Sequence, residues 1–160
     1  MRYEGFTVKM ALADALPVLF FCGSLLLLSR IFSSTMFYSG AVFTVLAGLS
    51  KVLWKLFLGF KGRDVKLINR MFVPLMTAGF GLMVAAIIIN RSHINISRLP
   101  GAILPFPQVV FFTLGAAALL VMIVLSVRFD RRSKGHNWRA QLVNTVLQAA
   151  IFLGLLFTVI

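Results

Sequence analysis

The chain has 160 residues, of which 60% are hydrophobic and only 12% are charged, and its formal net charge is +12. A soluble domain of this size cannot bury so much apolar surface, and a mean hydropathy of +0.98 is typical of a chain that lies mostly in a lipid bilayer. The single cysteine, Cys22, excludes an intrachain disulfide framework and a thiolate metal site.

Five apolar segments follow one another along the chain, and each is long enough to cross a bilayer. Helices are the expected form, because a helix satisfies its own backbone hydrogen bonds in lipid and spans the core with about 20 apolar residues. We therefore expect an all-α integral membrane protein, a bundle of five transmembrane helices in a single domain covering residues 1–160. The expected spans are residues 11–32, 36–60, 71–89, 106–127 and 138–160.

The basic residues between the spans predict the orientation, because Lys and Arg are retained on the cytoplasmic side during insertion. One side would carry 11 of them and the other only Arg30, Arg91 and Arg98. This puts the N-terminus in the cytoplasm and the C-terminus outside, in a multi-pass protein of the plasma membrane. Basic residues that lie against spans indicate contact with anionic lipid headgroups and argue against nucleic-acid binding. The 11 are Arg2, Lys9, Lys61, Arg63, Lys66, Arg70, Arg128, Arg131, Arg132, Lys134 and Arg139.

In the first span, Asp14 is the only acid of the chain placed within a membrane-embedded segment. Because Pro17 follows it closely, Asp14 resembles a helix N-cap with proline in the first turn. The functional alternative is that Asp14 neutralises a lysine of the second span and so belongs to a ligand-binding pocket. The two interpretations are compatible.

In the second span, Lys51 and Lys55 are one helical turn apart, so both ammonium groups lie on one face. A lysine in hydrocarbon costs a few kcal/mol unless it reaches the interface or finds a partner. Snorkelling to the cytoplasmic interface is the simpler interpretation for Lys55. Lys51 lies deeper, and helical side chains lean toward the N-terminus, away from that interface, so a buried and partnered Lys51 is equally well supported.

The second, third and fifth spans carry features that indicate packing or anchoring. Thr77, Gly81 and Ala85 form a small-residue ridge on which another helix could approach closely. Trp54 and Trp138 are expected to anchor their helices at the membrane interface.

The fifth span also carries a polar stripe, formed by Gln141, Asn144 and Gln148 on one helical face. Lipid would leave these amides without hydrogen-bond partners, so the stripe should face other helices. It would either form interhelical hydrogen bonds or belong to a ligand site. The stripe lies at about the depth of Lys51 and Lys55. The second and fifth spans are therefore predicted to form opposite walls of one polar cavity in the cytoplasmic half.

Three functions remain open. The first is a transporter or channel that binds a small anionic or polar solute through the six residues named above. The second is a non-transporting membrane partner, sensor or lipid-binding assembly subunit, in contact with membrane lipids and with further copies of itself or another membrane subunit. The third, a membrane enzyme acting on lipid phosphates, is disfavoured because the acids are scattered and no catalytic, metal-binding or cofactor motif is present. We expect no cofactor and no metal site.

Overall fold

In the computed structural model, residues 8–61, 64–90, 99–127 and 134–160 are described, and these ranges are helical apart from short turns. No strand occurs within them. Five long helices and one short helix follow in order: α1 (Val8–Ile31), α2 (Thr35–Lys61), α3 (Lys66–Ile89), α4 (Leu99–Ile103), α5 (Gln108–Val127) and α6 (Lys134–Val159).

The five long helices confirm the expected spans. Each contains a segment long and apolar enough to cross a membrane: Ala11–Ile31, Thr35–Phe60, Lys66–Ile89, Gln108–Val127 and Gly135–Val159. The third span begins five residues earlier than expected, because the segment from Lys66 to Arg70, with its three polar residues, continues the helix instead of ending it. One of these residues, Asn69, takes part in the site described below.

The helices form a row and not a closed ring. Helix α2 packs on α3, α1 packs on both α2 and α6, and α6 packs on α5, which gives the order α3, α2, α1, α6, α5. Helices α3 and α6 do not pack on each other along their described lengths. They flank the central α1–α2 pair, and a space is left between them.

The closest helix pair is α2 and α3, which meet through small residues. A Cβ atom on Gly40 would lie 2.6 Å from the carbonyl oxygen of Gly79, so neither position tolerates a side chain without moving a helix. Thr44 lies at the same contact, fully buried, with its hydroxyl donating to the Gly40 carbonyl oxygen at 2.7 Å. An apolar cluster of Leu25, Phe37, Ala41, Met83 and Ala86 continues the contact toward the far end of the bundle.

The expected small-residue ridge on α3 is wrong. Thr77 and Gly81 are exposed, and no atom lies within 4 Å of a Cβ built on Gly81. The face that packs on α2 carries Gly79, Met83 and Ala86. The sequence supplies small residues on both faces, and the position of Gly40 and Thr44 on α2 selects one of them.

Helix α1 runs parallel to α6, so both begin at the same end of the bundle, where α2 ends and α3 begins. We call this the basic end, because the basic segments of the sequence adjoin it. At the opposite end, α4 contacts α5 and α6, and the Thr158 hydroxyl donates to the carbonyl oxygens of Gly154 and Ala102, at 2.8 and 3.3 Å.

Candidate functional site

A cavity of about 400 Å³ lies between α3 and α6, over the α1–α2 pair. Helix α1 contributes residues 14–21, α2 residues 48–55, α3 residues 72–80 and α6 residues 141–148. All six residues predicted from the sequence line this one cavity: Asp14, Lys51, Lys55, Gln141, Asn144 and Gln148. From Asp14 to Phe21 on α1, it extends about 10 Å along the helix axis.

Asp14 and Lys55 form an ion pair across α1 and α2, with side chains only 11% and 18% exposed. The capping interpretation of Asp14 is wrong, because α1 already begins at Val8 and Asp14 lies well inside it, where the backbone N–H groups have helical partners. Pro17 is likewise an interior residue of α1. Lys55 is mostly buried and is paired with Asp14, as the functional alternative for Asp14 predicts.

Lys51 has a different environment, one turn further from the basic end. Its ammonium donates a hydrogen bond to Oδ1 of Asn69 at 2.8 Å. It also lies 4.8 Å from the ring centre of Trp54 and 5.2 Å from that of Phe72, within the range of cation–π attraction. Lys51 is thus partnered, but no carboxylate of the described residues pairs with it.

Trp54 is buried, with 5% exposure, so its predicted role as an interface anchor is wrong. Its indole N–H donates to Oδ1 of Asp64 at 2.9 Å. This bond ties the last turns of α2 to the short connection before α3, and it places the Trp54 ring beneath the Lys51 ammonium. The sequence places Trp54 near a membrane edge but gives no indication that Asp64 accepts a hydrogen bond from it.

The α6 wall of the cavity consists of side-chain amides. Gln141, Asn144 and Gln148 recur along one face, as the sequence predicts, and all three are partly buried. Their side-chain amides make no hydrogen bond within the described part of the chain. If the amides served to hold helices together, they would form hydrogen bonds to neighbouring helices. Without such bonds, their donors and acceptors remain available to a ligand or to water.

The α3 wall is apolar and was not predicted. Phe72, Met76 and Phe80 recur every four residues and line the cavity opposite the amides. Away from the basic end, the cavity closes where Phe80 meets Phe21 of α1, with ring centres 6.4 Å apart. The four-residue spacing of the three α3 residues was a usable signal in the sequence, but aromatic residues are so numerous in this chain that spacing alone did not distinguish a cavity wall from a lipid-facing surface.

The chemistry of the cavity follows from these groups. Two ammonium groups and one carboxylate leave it with a single positive charge from the described residues, next to the α6 amides and the apolar α3 wall. No group of histidine, cysteine or acidic side chains that could hold a metal ion occurs in the described ranges. The arrangement suits binding of an anionic group.

Comparisons of the chain with protein-family models, with curated proteins and with solved structures find no match.

Proposed function

We propose that this protein is a membrane transporter that binds a small anionic or polar solute in the cavity between α3 and α6. The observation that carries the proposal is the environment of Lys51, an ammonium group inside a spanning segment with an amide and two aromatic rings as partners. Ionisable residues at such depth commonly mark the path of an ion or solute.

An anion supplies what Lys51 lacks. An ammonium group has three N–H donors, and the bond to Asn69 uses one of them. A carboxylate or phosphate oxygen in the cavity would accept a charge-assisted hydrogen bond from Lys51, and such bonds are stronger than those between neutral groups. With a singly charged anion bound, the cavity has no net charge, so the cost of keeping the Lys51 cation away from water without a counterion is removed.

The amides of α6 favour a polar or anionic ligand in the same way. Gln141, Asn144 and Gln148 can donate to ligand oxygens or accept from ligand hydroxyls, and they lie across the cavity from the aromatic wall. A volume of about 400 Å³ is near the lower limit for ligand pockets, which favours a small solute or a single chemical group.

The basic end provides the approach for an anion. In the orientation expected from the charge distribution, the cavity lies in the cytoplasmic half, and the positive potential there raises the local concentration of anions. Transport further requires the contact between Phe21 and Phe80 to open, because it closes the cavity toward the opposite end. This arrangement favours a carrier that changes conformation over an open channel.

The first test measures binding of ethyl phosphate, a soluble monoester, to the purified protein by thermal stabilisation, followed by uptake of the labelled ester into proteoliposomes. Lys51→Ala should lower the affinity at least about tenfold, the value of one charge-assisted hydrogen bond. Lys66→Ala is the matched control, because Lys66 is an exposed lysine at the same end of the bundle. Equal affinities for the parent and Lys51→Ala, with no uptake by either, would overturn the proposal.

A non-transporting lipid-binding or sensor subunit is the second candidate. The closed aromatic contact and the open side between α3 and α6 favour it, because a ligand could bind from the bilayer without crossing it. Binding that depends on Lys51, without any uptake into proteoliposomes, would select this candidate over the transporter.

A further inference from the structure

The cavity is not uniform along its length. Its charged groups, Asp14, Lys51 and Lys55, lie toward the basic end, and the aromatic pair of Phe21 and Phe80 lies toward the middle of the bundle. Polarity therefore falls with depth, as it does from the headgroup region to the hydrocarbon core of a bilayer leaflet.

The cavity is also open on one side. Helices α1 and α2 form its floor, while α3 and α6 form its walls without packing on each other in the described part of the chain. Phe80 belongs to the cavity lining and is still 47% exposed, so the apolar lining continues onto the outer surface of α3. Both α3 and α6 contain a segment long and apolar enough to span a membrane, so in a bilayer the gap between them would open toward hydrocarbon.

The size of the cavity limits what it can enclose. A volume of about 400 Å³ accommodates a headgroup and the first carbons of a chain but not a whole phospholipid. Any longer chain would have to leave through the gap between α3 and α6.

We infer that the ligand is an amphiphile with one anionic headgroup, a phosphate or a carboxylate, whose hydrocarbon chain leaves the cavity through the gap between α3 and α6. The inference rests on the proposed anion site at Lys51 and specifies its ligand class. The headgroup occupies the charged part of the cavity beside Lys51 and the α6 amides. The chain follows the aromatic wall of Phe72, Met76 and Phe80, in the direction that chains already take in that leaflet.

The experiment compares three probes on the protein in nanodiscs of neutral lipid, with retention of each probe measured by native mass spectrometry. Ethyl phosphate carries the headgroup alone, dodecyl phosphate carries the headgroup and a chain, and dodecanol carries the chain alone. We expect dodecyl phosphate to be retained at least about tenfold more strongly than either of the others. Lys51→Ala should lower retention of both phosphates, while Lys66→Ala should change neither.

A chain also concentrates dodecyl phosphate in the membrane, so the decisive comparison is between variants. Met76→Trp places a large ring in the α3 wall and should lower the ratio of dodecyl to ethyl phosphate retention about tenfold, because it obstructs the chain more than the headgroup. Val73→Trp is the matched control, since Val73 is 63% exposed on the same helix and does not line the cavity. Its ratio should equal that of the parent.

The outcomes separate this inference from the proposed function. Retention of both phosphates that depends on Lys51, with the same ratio in the parent, Met76→Trp and Val73→Trp, would overturn the amphiphile inference and leave the anion site intact. If retention of neither phosphate differs between the parent and Lys51→Ala, both the amphiphile inference and the proposed anion site are overturned.

Discussion

The ion pair between Asp14 and Lys55 resolves the problem of two charges inside spanning helices. Each side chain is less than one-fifth exposed, so either charge alone would lie in a medium that solvates it poorly. Removing one partner is then far more harmful than removing both, because the remaining charge keeps its full desolvation cost.

We predict that Asp14→Asn lowers the free energy of unfolding by about 3 kcal/mol, because Lys55 is left without its carboxylate. The measurement is unfolding in mixed micelles with increasing denaturing detergent. The double variant Asp14→Asn, Lys55→Met should be more stable than the sum of the two single variants predicts. If Asp14→Asn unfolds like the parent, the pair contributes nothing to the fold.

Asn69 offers a way to neutralise Lys51 without removing it. Its Oδ1 atom lies 2.8 Å from the Lys51 ammonium, so Asn69→Asp places a carboxylate there with almost no change in shape. We predict that this variant folds normally and loses anion affinity at least about tenfold, because Lys51 acquires an internal counterion that competes with the ligand. The measurement is the ethyl phosphate titration described above.

The control for this substitution is Asn90→Asp, which makes the same chemical change at the other end of α3. Asn90 donates to the Ala86 carbonyl oxygen and lies outside the cavity. Anion affinity should therefore be unchanged in Asn90→Asp, and a loss equal to that in Asn69→Asp would point to net charge instead of a local counterion.

The lining of the cavity could be predicted at this scale because lipid penalises polar groups. Polar residues of a span, such as Gln148 and Lys51, must face other helices or a cavity because lipid does not solvate them. Their helix faces and their predicted depths in the membrane were therefore enough to predict one cavity. The sequence predicted that Asp14 neutralises a lysine of the second span, but it did not decide between Lys51 and Lys55. The bond from Lys51 to Asn69 was not predicted, because Asn69 was placed outside the span.

At the scale of helix pairs, α2 and α3 provide the closest contact, and they carry part of the floor and one wall of the cavity. We predict that Gly79→Leu lowers the free energy of unfolding by about 3 kcal/mol, because the new side chain must push apart two helices at Gly40 and Thr44. Anion affinity should fall as well, because α3 carries Phe72 and Asn69. Both quantities are measured with the assays already described.

The matched control is Gly81→Leu, on the same helix and at an exposed position with open space around it. It should change stability by no more than about 0.5 kcal/mol. Similar losses in Gly79→Leu and Gly81→Leu would show that α3 loses stability through its own glycines and not through contact with α2.

The error in predicting the packing face of α3 has a geometric cause. Gly79 and Gly81 are two residues apart and point in nearly opposite directions, about 200° around the helix axis. Gly81 lies in a row with Thr77 and Ala85, and Gly79 lies on a face with Met83 and Ala86. The sequence of this helix alone does not rank the two faces. The choice depends on α2, where Gly40 and the buried hydroxyl of Thr44 accept only a residue without a side chain.

At the scale of the whole molecule, the row of helices explains how so small a chain forms a cavity. A closed bundle of five helices would bury its polar groups against one another, whereas the open row leaves α3 and α6 apart over α1 and α2. The number and extent of the spans were predictable from composition. The order of the helices was not, because apolar helices in lipid choose neighbours by local shape and not by hydrophobicity.

The same basic end carries the cavity and most of the basic residues, so the orientation of the chain decides which compartment the cavity faces. We predict that the N-terminus lies in the cytoplasm and the C-terminus outside, because 11 basic residues flank one end of the spans and three flank the other. A fluorescent reporter should therefore be active on the N-terminus only, and a phosphatase that requires export should be active on the C-terminus only. Reporters active on the same side would contradict five crossings, and the reversed result would place the cavity and Lys51 on the outer side, where a cytoplasmic anion could not reach them without crossing the aromatic contact first.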